Sequence, residues 1–144
     1  MKVSEILQDK GASVHTIWPT ATLRTATERM SSHRIGALVV VDDNGDVVGL
    51  LAERDVVESV ARFGAGVATG VVAEAMTRNV ISCAPDDRIN DLMAVMTRRH
   101  VRHLCVMDGG RLAGMISIGD LVKARLAELE FESNVLRDAY LRVR

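Results

Sequence analysis

This 144-residue chain contains one pattern twice, and that duplication limits the folds open to it more than any other feature. Shifted against itself by 66 positions, the sequence matches Val14 with Val80, Pro19 with Pro85, Met30 with Met96, Leu38 with Leu104, Val40 with Val106 and Asp42 with Asp108. After a one-residue deletion the offset becomes 65, and Gly49 meets Gly114, Asp55 meets Asp120 and Val57 meets Val122. The deletion falls in a turn, where a hairpin tolerates it. Self-similarity at a fixed offset sets the architecture before any local motif is read.

Both copies run through the same elements. Residues 14–18 and 80–83 predict a short strand that ends at a proline. A helix follows, with Leu23, Ala26, Thr27 and Met30 in one copy and Ile89, Leu92, Met93 and Met96 in the other at helical spacing. Two strands then pair across turn residues: 37–41 with 47–51 through Asp42-Asp43-Asn44-Gly45, and 104–107 with 112–116 through Asp108-Gly109-Gly110-Arg111. Asn-Gly and Gly-Gly between apolar runs are strong hairpin signals. The strands are almost continuously apolar, which predicts cover on both faces. A second helix closes each unit, with Val56, Val57 and Val60 in one and Leu121, Val122 and Leu126 in the other. The repeat is β-α-β-β-α and the class α+β (α/β).

At the last strand-to-helix junction the copies read Gly49-Leu50-Leu51-Ala52-Glu53-Arg54-Asp55 and Gly114-Met115-Ile116-Ser117-Ile118-Gly119-Asp120. The aspartate falls in the helix's first turn, where the partial positive charge of the N-terminus favours a carboxylate. It is also suited to accept hydrogen bonds from two adjacent hydroxyls, as on a ribose. Ser117-x-x-Asp120 equally fits a capping box, a purely structural role.

The linker at 63–70 is rich in Gly and Ala. Beyond it Val72-Ala73-Glu74-Ala75-Met76 echoes Val3-Ser4-Glu5-Ile6-Leu7, and both read as short docking helices. The expected divisions are 1–68, 69–128 and 129–144. From Leu121 onward no Gly or Pro interrupts the chain, and Val122, Leu126, Leu129, Ser133, Leu136, Tyr140 and Val143 recur at four and three. That is an a/d seam, predicting an extended helix whose stripe packs on another subunit.

Composition removes several functions. A net charge of −1 offers no basic stripe for nucleic acid, and aromatics at 3 % leave no stacking platform. No apolar run reaches membrane-spanning length, and the opening residues carry no signal-type apolar core, so a cytoplasmic protein is expected. Cys83 and Cys105 lie in apolar stretches and read as small hydrophobes. His100, His103 and Cys105 crowd one segment, but without Cys-x-x-Cys or helical His pairing no metal site is expected. No nucleophile-base pairing or phosphate loop argues for an enzyme. Arg98-Arg99 reads as a solvated helix end.

Paired β-α-β-β-α units, each closing on Gly-apolar-apolar-[Ser/Thr]-x-x-Asp, resemble a tandem cystathionine-β-synthase (CBS) domain pair, or Bateman module, from Lys2 to about Leu126. The segments 33–42 and 114–122 are typical of it. The resemblance implies two repeats about a pseudo-two-fold axis and two clefts for adenosine compounds such as AMP, ADP, ATP, S-adenosylmethionine or NADH. It also implies a disc-shaped homodimer that regulates an unidentified protein. Carried over, it gives the better cleft Asp120 for the ribose, Ser117 for ribose or α-phosphate, and Arg102 and His103 for phosphate. Ser13 and His15 would line the adenine end, with Met115 as apolar wall and Ile35 and Gly36 approaching through backbone. The other cleft keeps Asp55 and Asn79 but has Ala52 where Ser or Thr is expected, and Gly36 and Ala37 at the positions matching Arg102 and His103. Unequal sites are therefore expected. Two functions follow: a sensor of adenine nucleotides, or a ligand-independent dimerisation module.

Overall fold

The computed structural model describes residues 1–143, and the two copies fold alike. Helix α1 (Val3–Lys10) leads into the first repeat: β1 (Thr16–Ile17), α2 (Leu23–His33), β2 (Ala37–Val41), β3 (Val47–Ala52) and α3 (Glu53–Phe63). A short 3-10 turn (Ala65–Thr69) and α4 (Val72–Ala75) lead into the second: β4 (Ser82–Cys83), α5 (Ile89–Arg99), β5 (His103–Asp108), β6 (Arg111–Ser117) and α6 (Ile118–Val143). Each repeat holds a three-stranded sheet with the strands in sequence order. The opening strand pairs parallel with the first hairpin strand, Thr16 opposite Val39 and Ser82 opposite Cys105, and the hairpin is antiparallel. Both hairpins shift register at the same place, between Val40 and Val41 and between Val106 and Met107.

The opening strands are shorter than the apolar pattern predicts, two residues each. Before them the chain peels off its neighbour, and that detached part of the second copy becomes a cleft wall, described below. The helices follow the pattern closely. Thr22 caps α2 by accepting the Thr25 N–H at 3.1 Å, and Leu23, Ala26 and Met30 are buried. Arg34 and His100, matched at the offset of 66, end α2 and α5 in the left-handed conformation, φ 53° and 54°. The amides of Ile35 and Val101 then close onto the carbonyls of Met30 and Met96, the six-to-one bond of a Schellman ending made without glycine.

Leu38 and Val40 enter one core and Leu104 and Val106 the other. Ala37, Val39 and Cys105 lie on the opposite strand face by the period of two and are also 0 % exposed. Both faces of these strands are therefore covered, as their unbroken apolar runs predict. Burial pushes the Cys83 thiol up to about 12, helped by Asp87 and Cys105, and burial alone pushes Cys105 to about 11. Both are protonated packing residues at neutral pH.

The docking helices cross over. Val3 and Ile6 of α1 complete the core of the second repeat, while Val72 of α4 and Met76 complete that of the first. Backbone bonds repeat the exchange: Val3 and Ser4 donate to the carbonyls of Asp87 and Pro85, and Val72 and Ala73 donate to those of Ala21 and Pro19. A Cβ on Gly114 would meet Leu7 Cδ2 at 2.8 Å, and one on Gly49 would meet Met76 Sδ at 2.5 Å. These glycines let each helix close onto the β3 or β6 backbone. Such reciprocity is that of a two-fold axis relating the repeats.

Helix α6 covers 26 residues. Leu121 at its start is buried, but Leu126, Leu129, Leu136, Tyr140 and Val143 of the stripe are exposed, as are Val57, Val60 and Phe63 of α3. Among the described residues, Leu126, Leu129 and Leu136 of the seam therefore leave much of their surface open. Among the described residues no helix is long and apolar enough to cross a membrane.

Candidate functional site

A cavity of about 1000 Å³ opens between the repeats, at the upper end of the size range of small-molecule sites. The first repeat contributes the β3–α3 junction, with Ala52, Glu53, Arg54 and Asp55, together with Gly36 ahead of β2. The second contributes Thr77, Asn79, Val80 and Ile81 from the segment ahead of β4, His100 and Arg102 between α5 and β5, and His103 at the start of β5.

Asp55 owes its position to the helix that it starts. Its Oδ2 accepts the Ala52 N–H at 2.8 Å, and Oδ1 accepts the Thr77 hydroxyl at 2.8 Å. Thr77 is in turn fixed by paired backbone bonds with Leu50. Arg54 reaches across to donate to the His100 carbonyl at 3.2 Å, tying α3 to the end of α5. His103 lies where the repeats touch: a Cβ on Gly36 would be 3.2 Å from its Cε1 and 2.9 Å from Glu53 Oε1. Burial lowers the His103 pKa, outweighing the opposing pull of Glu53 and Asp120. The ring is therefore neutral at pH 7, with a lone pair and one N–H to offer. The cavity thus combines a carboxylate at a helix N-terminus, an extended apolar wall with backbone groups, and two arginines with two histidines.

Asp120 is differently engaged. Ser117 and Asp120 form the reciprocal capping box: the Ser117 N–H reaches Asp120 Oδ2 at 2.8 Å and the Asp120 N–H reaches Ser117 Oγ at 3.1 Å. The Lys10 ammonium of α1 also meets Oδ2, at 2.7 Å, and donates to the Met115 carbonyl at 3.0 Å. Partial burial pulls the Asp120 pKa up, but the Lys10 hydrogen bond and charge and the Ser117 donors outweigh it and hold the carboxyl below its ordinary 3.8. A depressed carboxylate pKa adds stability above the unfolded value that is lost as pH falls through the folded one. The urea midpoint of wild type should therefore exceed that of Lys10→Met at pH 6, and the difference should vanish well below pH 3.8.

Of the residues expected from sequence, Gly36, Asp55, Asn79, Arg102 and His103 line the large cavity. Ile35 lines a smaller one of about 520 Å³ that shares Gly36 and Glu53 with it. Met115 pairs with Cys105 on the sheet and gives its carbonyl to Lys10. Ser13 is exposed ahead of β1, and the His15 ring stacks on His33 at 4.2 Å. Arg102 and His103, expected with Asp120, line the cavity of Asp55, while His103 also pairs with Ser117 across the sheet and feels the Asp120 charge. The reason is steric. Gly36 leaves room for the His103 ring against the first repeat, so the start of β5 faces the N-terminus of α3.

Arg54, Thr77, His100 and Lys10 were not anticipated. Arg54 had a visible signal, because it stands at the position matched by Gly119 in the other copy. Among the described residues no three His, Cys, Asp or Glu side chains gather in a way that could hold a metal.

The fold and the cleft define a class: a tandem pair of β-α-β-β-α units that share a ligand-sized cavity. The chain belongs to the CBS-domain family, whose model matches residues 3–62 and 72–127. A CBS-domain-containing protein of Agrobacterium tumefaciens superposes with a TM-score of 0.85 at 44 % identity, over 86 % of this chain and 92 % of that one. A CBS domain protein of Pyrobaculum aerophilum, solved in complex with AMP, gives a TM-score of 0.78 at 25 % identity, over 92 % of this chain and 99 % of that one. An uncharacterised 17.7 kDa protein of Acidianus ambivalens is 33 % identical over 126 residues, 87 % of this chain and 73 % of the relative.

Proposed function

We propose that the protein is a regulatory module, not an enzyme, that binds an adenosine nucleotide in the cavity at Asp55. The observation that carries this is convergence: one cavity holds Asp55, the wall formed by Asn79, Val80 and Ile81, and the basic groups of Arg54, Arg102 and His103. In this reading the ribose hydroxyls donate to Asp55 and displace Thr77. The adenine lies along the wall, and the arginines meet the phosphate, for which their forked donors suit them. AMP is the reference ligand, supported by the Pyrobaculum protein's complex with it. ATP, NADH and S-adenosylmethionine are the competitors. A ligand shifts a conformational equilibrium only by its differential affinity for the two states. Here it touches both repeats, so it would bias the angle between them for a protein partner to read.

We assign the exposed stripe of α6, with Val57, Val60 and Phe63 of α3, to a homodimer contact. The same observation favours a second reading, a cytoplasmic dimerisation module that needs no ligand. Calorimetry with AMP, ATP, NADH and S-adenosylmethionine, paired with sedimentation with and without ligand, separates the two. The expected result is saturable AMP binding by a dimer. A dimer that binds none of the four at millimolar concentration would leave the second reading.

A further inference from the structure

Asp55 and Asp120 occupy matching positions, yet what faces them differs in charge. Each accepts a backbone N–H from the residue three before it, at 2.8 Å in both cases. Beyond that, Asp55 meets the hydroxyl of Thr77, a neutral group that can rotate away, whereas Asp120 meets the Lys10 ammonium. That ammonium is held twice, by the carboxylate and by the Met115 carbonyl. The helix carrying it is anchored by Val3 and Ile6 in the second core and by Leu7 against Gly114. In the other copy the matching acceptors, the Leu50 carbonyl and Asp55, are met by the backbone N–H and the hydroxyl of Thr77, both neutral donors. Neither of the two cavities described reaches Asp120.

We infer that Lys10 is a built-in occupant of the second ribose position, so that the chain takes one nucleotide, at Asp55, and none at Asp120. A ribose approaching Asp120 would break an ion pair between two full charges and would also strip a donor from Met115. Its hydroxyls bring no positive charge in return, so the exchange runs against the ligand. The inference rests on the reading of Asp55 as the nucleotide site, and it assigns Lys10 as the residue that sets the number of sites.

Equilibrium dialysis with AMP on wild type, Asp55→Ala, Lys10→Met and Lys10→Met/Asp120→Asn tests it, with circular-dichroism melting as the control for folding. Wild type is expected to take one AMP per chain, and Asp55→Ala none. Lys10→Met should gain a second site, which the added Asp120→Asn change removes. A wild type that binds two per chain overturns the inference. So does a folded Lys10→Met protein that binds no more than wild type, or binds less. Should wild type bind no AMP, the Asp55 reading falls on its own. Lys10 is then judged separately: binding by Lys10→Met that Asp120→Asn removes upholds the inference, and its absence overturns it. If Lys10→Met does not fold, Lys10→Gln, which keeps a donor without the charge, is measured against the same outcomes.

Discussion

Asp55→Ala is expected to weaken AMP binding about 100-fold or more, with little effect on the sheet behind it. The estimate comes from two hydroxyl donors meeting one carboxylate. Hydrogen bonds to charged groups contribute about 1.5–3 kcal/mol each, so losing two removes about 3 kcal/mol or more, equivalent to a factor of about 100 in Kd. Asp55 also holds the Ala52 N–H at the start of α3, so some loss could be structural. A comparison of ligands removes that ambiguity. On wild type, 2′-deoxy-AMP should bind more weakly than AMP, and on Asp55→Ala the two should bind alike. Equal binding of both by wild type would separate Asp55 from the ribose.

Placing a carboxylate under either docking helix should produce the largest losses of stability. Val3 and Val72 are each 0 % exposed, one in each core. An unpaired buried charge costs several kcal/mol. Val72→Asp should therefore destabilise by about 3 kcal/mol or more, lowering Tm by roughly 10 °C. Val3→Asp should cost a similar amount, because Val3 fills the core of the second repeat although it lies ahead of the first. A Val3→Asp protein that melts with wild type would contradict the crossover.

Much of this fold was legible in the sequence because duplication supplies an internal control. A strand read in one copy could be checked against the other, and 37–41 appears in the structure as predicted. The Ser117–Asp120 capping pair was legible from its spacing, whereas Gly36, Arg102 and His103 came from the family resemblance, since the copies differ at those positions. Pairing of residues across the cleft was harder to read. Arg102 and His103 belong to the second repeat in sequence but face the first, because their position relative to Gly36 depends on how two sheets meet. No periodicity within one repeat encodes that angle. Lys10 was missed for a related reason. Its partner is 110 positions away, and a lysine at the end of an amphipathic helix ordinarily reads as solvated. The opening strands were overestimated because apolar residues that leave a sheet to line a cleft have the same pattern as residues that stay in it.

The crossover of α1 and α4 puts the unit of duplication out of phase with the unit of packing. One copy, read from its docking helix to its closing helix, lacks the helix that seals its own core and carries the one that seals its twin's. A chain of a single copy could meet the same contacts only by trading helices with an identical chain, as a symmetric exchanged dimer. In this protein the segment 63–71 makes that trade intramolecular. Cutting the gene between the copies would not yield two independent half-modules. It would yield two fragments that complement each other in solution, each folded only when mixed with the other.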